Sequence, residues 1–335
     1  MRFDRITSIA LGAVLSIGAS MSGANAADKI RIGLVLPELS NEAIADIDKG
    51  ARAHAEELGT VEILTTGSYN GEEQAKAVEN YIASKVDVIA YDSIDAAAVG
   101  PAIVKANAAG IPVIGIFSLG STGKHLSFLT PDFRENGRIN GRWMAKKLGP
   151  TGIVAHVEGN PADAAGADLT AGFLEGLAEG GIKKTVAQAP SNWDREKAMG
   201  IATDMLTAHP DIQGIYGAND DVAMGVVQAA RANGRLKDVL ITGHNGTCEA
   251  LASVIKGDLD FTVMLFSKPI GALMVDTALK GLKKEPVPEK IAGPSFGVDT
   301  ETANGILGGT YKDVPDNVAA EVKQRLEAAK AGCKA

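Results

Sequence analysis

The sequence is poor in aromatic residues and cysteine and has no excess of positive charge. Only 4% of its 335 residues are aromatic, whereas alanine and glycine are abundant, a composition that fits helices packed closely on a sheet. The net charge is −8, so nothing indicates binding to nucleic acid or to an anionic membrane surface. With 45% hydrophobic residues the chain can bury two cores, and its length predicts about two domains.

Motifs for nucleotide, phosphate and metal binding are also missing. The first predicted strand, Ile30–Leu36, is followed by PELSNE and not by the G-x-G-x-x-G of a dinucleotide site. The segment Ser118–His125 lacks the first glycine of a phosphate loop, and its histidine stands where Ser or Thr would hold magnesium. The histidines, which show no metal-ligand spacing, are His54, His125, His156, His209 and His244. We therefore expect no cofactor and no metal.

The N-terminus predicts an export signal. Arg2 and Arg5 precede a short apolar segment, Ile9–Ile17, and Ala24-Asn25-Ala26 has the small-x-small form of a signal-peptidase site. The apolar segment is too short to anchor the chain in a membrane, and the cleavage site has no cysteine that would carry a lipid. We expect Met1–Ala26 to be removed and a soluble, exported chain to begin at Ala27.

The two cysteines have two interpretations. His244 and Cys248 lie four residues apart and have the chemistry of a base and a nucleophile, which keeps an exported enzyme as an alternative. No acid that would orient the histidine is evident, so we expect no catalytic residues. Because an exported chain meets an oxidising compartment, we predict instead a disulfide between Cys248 and Cys333, brought together by a C-terminal helix.

Predicted strands and helices alternate along the chain in two series. The first series has strands Ile30–Leu36, Val61–Thr65, Val86–Tyr91, Val113–Phe117 and Leu126–Thr130, with helices Ala43–Leu58, Glu72–Ser84 and Ala97–Ala109. The second has strands Gly152–Val157, Thr185–Ala189, Ile215–Ala218, Val239–Gly243 and Phe261–Leu265, with helices Asn136–Leu148, Asp168–Glu179, Arg195–Ala208, Glu249–Lys256 and Lys268–Leu282. Gly293-Pro294-Ser295 is predicted to be a linker before a last helix, Asn317–Ala331. The alternation predicts an α/β protein with two doubly wound, mostly parallel sheets.

The segment Ile215–Asn233 carries the clearest binding signal. An apolar strand breaks at Asn219-Asp220-Asp221, and a helical pattern follows. Such a turn lies at the carboxyl end of a strand, where open α/β sheets bind ligands. We expect Asp220 or Asp221 to cap the helix, which would leave the Asn219 amide free for a ligand hydroxyl. A helix cap with no binding role is the alternative.

The order of these elements, the export signal and several motifs resemble the periplasmic solute-binding proteins of the ribose and galactose type, the receptor subunits of ABC importers. The matching segments are KIRIGLVLP, IDKGARAHAEELG, AAAVGPAIVKANAAGIPVIGI, DMLTAHPDIQGIYGANDDVAMG and ITGHNGT. The resemblance implies a type I fold, in which two lobes joined by a three-crossover hinge close over a solute. By analogy, the first lobe comprises residues 27–130 and 267–294, and the second comprises residues 131–266 and 295–335.

The resemblance also implies a set of ligand-binding residues. In the first lobe and the last crossover these are Asn41, Ile44, Phe117, Ser118 and Leu265. We add Asp92 as a candidate from the sequence, with the alternative that it only begins the loop after the third predicted strand. In the second lobe they are Asp163, Trp193, Asn219 and Asn245, with Trp193 as an aromatic platform. Sugar binders of this type usually have an acid or amide followed by a cation where Phe117-Ser118 stand, and an Arg where Ala167 stands.

These departures predict a more apolar and less charged site, and hence a small, neutral, partly apolar solute such as a sugar, a polyol or a sugar-like molecule. Asp92 and Asp163 leave a cationic solute as an alternative, and a sensor or co-receptor for a signal molecule is another. A transcriptional repressor shares the fold, but its DNA-binding headpiece is absent here. The resemblance implies a periplasmic location and a membrane permease as partner, and we expect a monomer that binds no nucleic acid.

Overall fold

The computed structural model describes residues 29–183 and 185–333. The predicted signal peptide lies outside these residues. Among the helices within them, none is both long enough and apolar enough to cross a membrane.

The first lobe is built on a six-stranded parallel sheet with the order β11-β5-β4-β3-β1-β2. Its strands are β1 (Ile30–Leu36), β2 (Val61–Gly67), β3 (Val88–Tyr91), β4 (Val113–Ile116), β5 (Ser127–Pro131) and β11 (Lys290–Gly293). Its helices are α1 (Glu42–Leu58), α2 (Gly71–Ala83), α3 (Ala96–Ala108) and α9 (Ser267–Leu282), the last of which packs on α1. Strands β3 and β4 are buried along their whole length, as expected for apolar strands covered on both faces.

The second lobe repeats this layout with the order β12-β10-β9-β8-β6-β7. Its strands are β6 (Val154–Glu158), β7 (Ala187–Pro190), β8 (Gly214–Gly217), β9 (Leu240–Asn245), β10 (Phe261–Leu265) and β12 (Ser295–Asp299). Its helices are α4 (Phe133–Leu148), α5 (Ala164–Glu179), α6 (Arg195–Ala208), α7 (Asp220–Ala232), α8 (Cys248–Lys256), α10 (Thr300–Leu307) and α11 (Asp316–Lys330). Strand β12 is antiparallel to β10, whereas the other strand pairs in this sheet are parallel.

The sequence-based prediction of two doubly wound α/β lobes is confirmed. The predicted linker at Gly293-Pro294-Ser295 is wrong in part, because β11 and β12 flank Pro294 and extend the two sheets in turn. Both strands are short, and β11 ends at Gly293 while β12 contains Gly297, so their sequence lacks a clear strand pattern. Helix α10 was also not predicted.

Close helix packing depends on glycine at a few positions. Helices α4 and α5 lie so near each other that a side chain at Gly172 would meet the carbonyl oxygen of Arg134. In the first lobe, Gly271 of α9 stands in the same relation to the carbonyl oxygen of Ile47 on α1. These contacts account for the small residues that the composition shows.

The two lobes are in contact across their facing edges. Ala165, Leu169 and Trp193 of the second lobe pack into the apolar cluster whose other members include Ile116 and Phe117 of the first lobe. The carboxyl ends of the strands in both sheets face this contact. In each sheet the order in which successive strands are added reverses at one point, between β1 and β3 in the first and between β6 and β8 in the second. Such switch points leave a crevice for a ligand.

Candidate functional site

A cavity lies between the lobes at these two switch points. Its interior volume is about 70 Å³, room for several water molecules or part of a small solute. The first lobe contributes Pro37, Tyr69, Asp92 and Phe117. The second lobe and the crossover contribute Phe133, Asp163, Ala165, Leu169, Trp193, Asn219, His244, Asn245 and Leu265.

Seven of the ten predicted ligand-binding residues line this cavity: Asp92, Phe117, Asp163, Trp193, Asn219, Asn245 and Leu265. The other three do not. Asn41 accepts from the N–H groups of Ala43 and Ile44 as the cap of α1, and it donates to Asp221 at 2.7 Å. Ile44 packs against the apolar cluster of the first lobe.

Ser118 is hydrogen-bonded to Asp163 and does not line the cavity. Its hydroxyl donates to a carboxylate oxygen of Asp163 at 2.5 Å and accepts from the Ala165 N–H at 3.2 Å. Asp163 also caps α5, because the same carboxylate oxygen accepts from the Ala165 N–H at 3.0 Å. Burial raises the pKa of Asp163 to about 6, although these hydrogen bonds favour its charged form. This cluster joins β4 of the first lobe to the start of α5 in the second.

Asp92 follows β3 at the switch point of the first sheet. It is 5% exposed, and its main-chain carbonyl accepts from the Gln74 amide at 2.9 Å, which holds the loop in place. Burial and the nearby Asp163 raise the pKa of Asp92 well above its usual value, and the Ser118 N–H acts in the opposite direction. The Asp92 carboxyl is thus a buried acid on the cavity wall.

Asn219 lines the cavity and also caps a helix. From the sequence, we expected one of its neighbours to be the cap. The expectation that Asp220 or Asp221 caps α7 is wrong, because the Asn219 side-chain oxygen accepts from the Val222 N–H at 2.8 Å. Only the NH₂ group of Asn219 is therefore left to donate to a solute. Asp220 accepts instead from the Thr262 hydroxyl and the Thr247 N–H, both at 2.7 Å.

Three cavity residues have backbone angles that are unusual for residues with side chains. Phe117, Trp193 and Asn245 have φ values of 54°, 67° and 121°. Residues held in such conformations cost energy and cluster at functional sites, so their position on one cavity is consistent with a binding role. The Trp193 ring is tightly enclosed, since a side chain at Gly159 would meet it.

His244 is a neutral member of the cavity wall. Burial lowers its pKa to about 3. The Asn136 amide lies 3.2 Å from Nε2 of His244, so this nitrogen is the acceptor when the amide donates. The sequence also offered His244 and Cys248 as a base and a nucleophile. Proton transfer between these two residues is excluded, because Cys248 is not a free thiol.

The predicted disulfide is confirmed. Cys248, at the start of α8, is bonded to Cys333 behind α11, with the two Cα atoms 5.7 Å apart. Arg325 of α11 donates to the carbonyl oxygens of Leu265 at 2.5 Å and Asn245 at 3.3 Å. The C-terminal helix therefore supports two segments of the cavity wall from behind.

Six cavity residues were not predicted: Pro37, Tyr69, Phe133, Ala165, Leu169 and His244. Pro37 directly follows β1, and His244 is the last residue but one of β9, so their position near a strand end was available as a signal. Tyr69 and Phe133 come from a loop and a helix start, where nothing in the local pattern distinguishes a cavity residue. Among the described residues no group of acidic, His and Cys side chains is arranged to hold a metal ion.

The sequence matches a family model described as a periplasmic binding protein domain over residues 32–286. The chain belongs to the periplasmic binding protein family. One relative of this periplasmic binding protein is the ribose import binding protein of Escherichia coli K12, 30% identical over 85% of this chain and 93% of that protein. Another is the D-ribose/D-allose-binding protein of Pseudomonas aeruginosa, 31% identical over 76% of this chain and 82% of that protein.

Solved structures show the same fold. A periplasmic solute-binding protein of an ABC transporter from Actinobacillus succinogenes, with bound D-allose, has a TM-score of 0.77 and 31% identity over 83% of this chain and all of that one. These relatives are binding proteins, and this periplasmic binding protein is likewise not an enzyme.

Proposed function

We propose that this protein captures a small solute of the sugar or polyol class between its lobes and delivers it to the membrane permease of an ABC importer. The observation that carries the proposal is the cavity at the two switch points, whose wall is shared by both lobes. Its aromatic residues suit the C–H faces of a sugar ring, and the Asn219 and Asn245 amides suit hydroxyl groups. The relatives that bind ribose and allose support this class of solute.

We also propose that the solute favours the closed arrangement of the lobes. A solute that contacts Asp92 and Phe117 on one side and Trp193 and Asn219 on the other makes all its contacts only when the lobes meet. This difference in affinity is what shifts an open–closed equilibrium. We place the lobes at residues 27–130 with 267–294 and at residues 131–266 with 295–335, and the strands that share each sheet support this division.

Export to the periplasm, cleavage before Ala27 and a monomeric state complete the proposal. The periplasmic family supports the location, and Ala24-Asn25-Ala26 supports the cleavage site. The net charge of −8 supports a protein that does not bind nucleic acid. Intact mass of the exported protein would test the cleavage, and light scattering would test the oligomeric state.

Calorimetry with a panel of pentoses, hexoses and polyols tests the function. We expect one solute to bind selectively without turnover, and small-angle scattering to show a smaller radius of gyration at saturation.

Trp193→Ala should weaken binding by about 2–4 kcal/mol because it removes a large apolar contact. Trp143→Ala, which removes a tryptophan that stacks on Phe261 outside the cavity, is the matched control. Failure of every panel member to bind would overturn the proposal.

A further inference from the structure

Among the described residues, the cavity wall has two carboxyl groups and no Lys or Arg. The two carboxyl groups are those of Asp92 and Asp163. His244 does not supply a positive charge, because its buried ring is neutral. A buried carboxylate is costly unless it is paired with a cation or well hydrogen-bonded.

The two acids differ in how well the protein itself satisfies them. Asp163 has the Ser118 hydroxyl and a helix N-terminus as partners. Asp92 is 5% exposed, and the Ser118 N–H is the protein group that favours its charged form. Of the two carboxyls, Asp92 therefore has fewer protein partners and is the one left to bind a group of the solute.

The guanidinium groups near the facing edges of the lobes already have partners. Arg195 donates to Asp221 at 2.8 Å and to Glu249 at 2.7 Å. Arg325 is held by the carbonyl oxygens behind the cavity. Neither lines the cavity. An ionised Asp92 therefore has no Lys or Arg beside it among the described residues, and a cation that pairs with it has to come with the solute.

Aromatic side chains make up much of the remaining wall. Tyr69, Phe117, Phe133 and Trp193 surround the same space as Asp92. Aromatic faces attract cations, and the attraction is stronger when the cation is removed from water. A carboxylate beside several aromatic rings is a combination that binds ammonium groups.

We propose that the solute is an amino sugar or amino polyol whose protonated amine is held by Asp92 against this aromatic wall. The inference rests on the proposed function, since it keeps the hydroxylated solute and assigns a charge to one of its groups. The loss of the family's charged pair at Phe117-Ser118 led us to expect a neutral solute from the sequence. The structure adds that the acids which remain have no cationic partner on the cavity wall.

Calorimetry with matched solutes tests the proposal on the full mature chain. The pairs are glycerol and serinol, ribitol and ribitylamine, D-glucose and D-glucosamine, and D-allose and D-allosamine, with D-gluconate as an anionic probe. At neutral pH we expect the amine of at least one pair to bind about tenfold more tightly than its neutral partner, and gluconate not to bind. Asp92→Asn, which keeps the size of the side chain, should abolish this preference.

Asp204→Asn is the control, because Asp204 is exposed on α6 and does not line the cavity. It should keep the preference for the amine. If the neutral partners bind as tightly as the amines, or if Asp92→Asn keeps the preference, the amine proposal is overturned while the proposed function stands. If no member of any pair binds, both are overturned.

Discussion

Each lobe buries an aspartate just beyond the strand that borders its switch point, and the two carboxyls have opposite surroundings. Asp220 of the second lobe is 1% exposed and accepts from Thr262 and Thr247 at 2.7 Å. Asp92 of the first lobe is 5% exposed and lies on the cavity wall. Burial is almost the same, so burial alone does not separate a structural acid from the acid that we propose binds the solute. The hydrogen-bond partners of the two carboxyls distinguish them.

The lobes also differ in what they offer at their contact. At two of the contacts the first lobe contributes a side-chain oxygen and the second contributes the N-terminus of a helix. Glu42 accepts from the Cys248 N–H at 2.9 Å at the start of α8, and Ser118 accepts from the Ala165 N–H at the start of α5. Negative or polar oxygen atoms are stabilised at such positions by free N–H groups and the helix dipole. The contact therefore combines polar hydrogen bonds with an apolar cluster.

Among the substitutions that test this comparison, Asp220→Ala is expected to have the largest effect on stability. The substitution leaves the Thr262 hydroxyl and the Thr247 N–H without their acceptor in a dry interior, and we expect the free energy of unfolding to fall by about 2–5 kcal/mol. Denaturant unfolding would measure it. Asp220→Asn keeps one acceptor oxygen and should lose less. A loss under about 1 kcal/mol in the alanine variant would contradict the structural role of Asp220.

Removal of the disulfide tests the second lobe alone. Cys248 and Cys333 are 85 residues apart in sequence, and Cys248→Ser combined with Cys333→Ser should lower the free energy of unfolding by about 2–4 kcal/mol. Reduction of the parent protein should give the same loss. Because Arg325 depends on the position of α11, hydrogen exchange should rise around Asn245 and Leu265 and not in α1 or α2. An unchanged exchange pattern around these two residues would show that the helix stays in place without the bond.

Asn219→Ala and Asp95→Ala compare a helix cap at the cavity with one outside it. Asp95 caps α3 through the N–H groups of Ala97 and Ala98, and Asn219 caps α7 through that of Val222. Both variants should lose about 1 kcal/mol of stability. Only Asn219→Ala should also weaken binding of the cognate solute. Equal affinities in the two variants would reduce Asn219 to a cap, which is the alternative that the sequence left open.

Asp92→Asn should have the smallest effect on stability and the opposite sign. Removing a buried acid that has few partners should leave the free energy of unfolding unchanged or raise it by up to about 1 kcal/mol at neutral pH. Because the folded-state pKa of Asp92 lies above its unfolded value of 3.8, its contribution is fully present below about pH 4 and is lost as pH rises. The gain of Asp92→Asn over the parent should therefore be larger at pH 7 than at about pH 4. A variant that is less stable than the parent at neutral pH would contradict this.

Much of the cavity was predicted, because the turn at Asn219 is visible in the sequence and the family resemblance supplied most of the other positions. Asp92, Phe117, Asn219, Asn245 and Leu265 all lie at or just after the end of an apolar strand, and parallel sheets bring such ends to one edge. The errors concern what each side chain does there. Ser118 and Asn41 stand near the same edge, but their hydrogen bonds go to Asp163 and Asp221 on the other lobe.

The sequence by itself determined most of the elements, their α/β order, the two sheets and the pairing of the only two cysteines, but not β11, β12 and α10. The features that it determined follow from local patterns: apolar runs of strand length, helical periodicity, caps and composition. The tertiary structure decided which residues of each lobe share the cavity wall and which of Asn219 and Asp220 caps α7. It also decided that, within the described part of the chain, no Lys or Arg lines the cavity beside Asp92. Those outcomes depend on distances between segments far apart in the chain, and a side chain's charge and hydrogen bonds are set by neighbours that no local pattern contains.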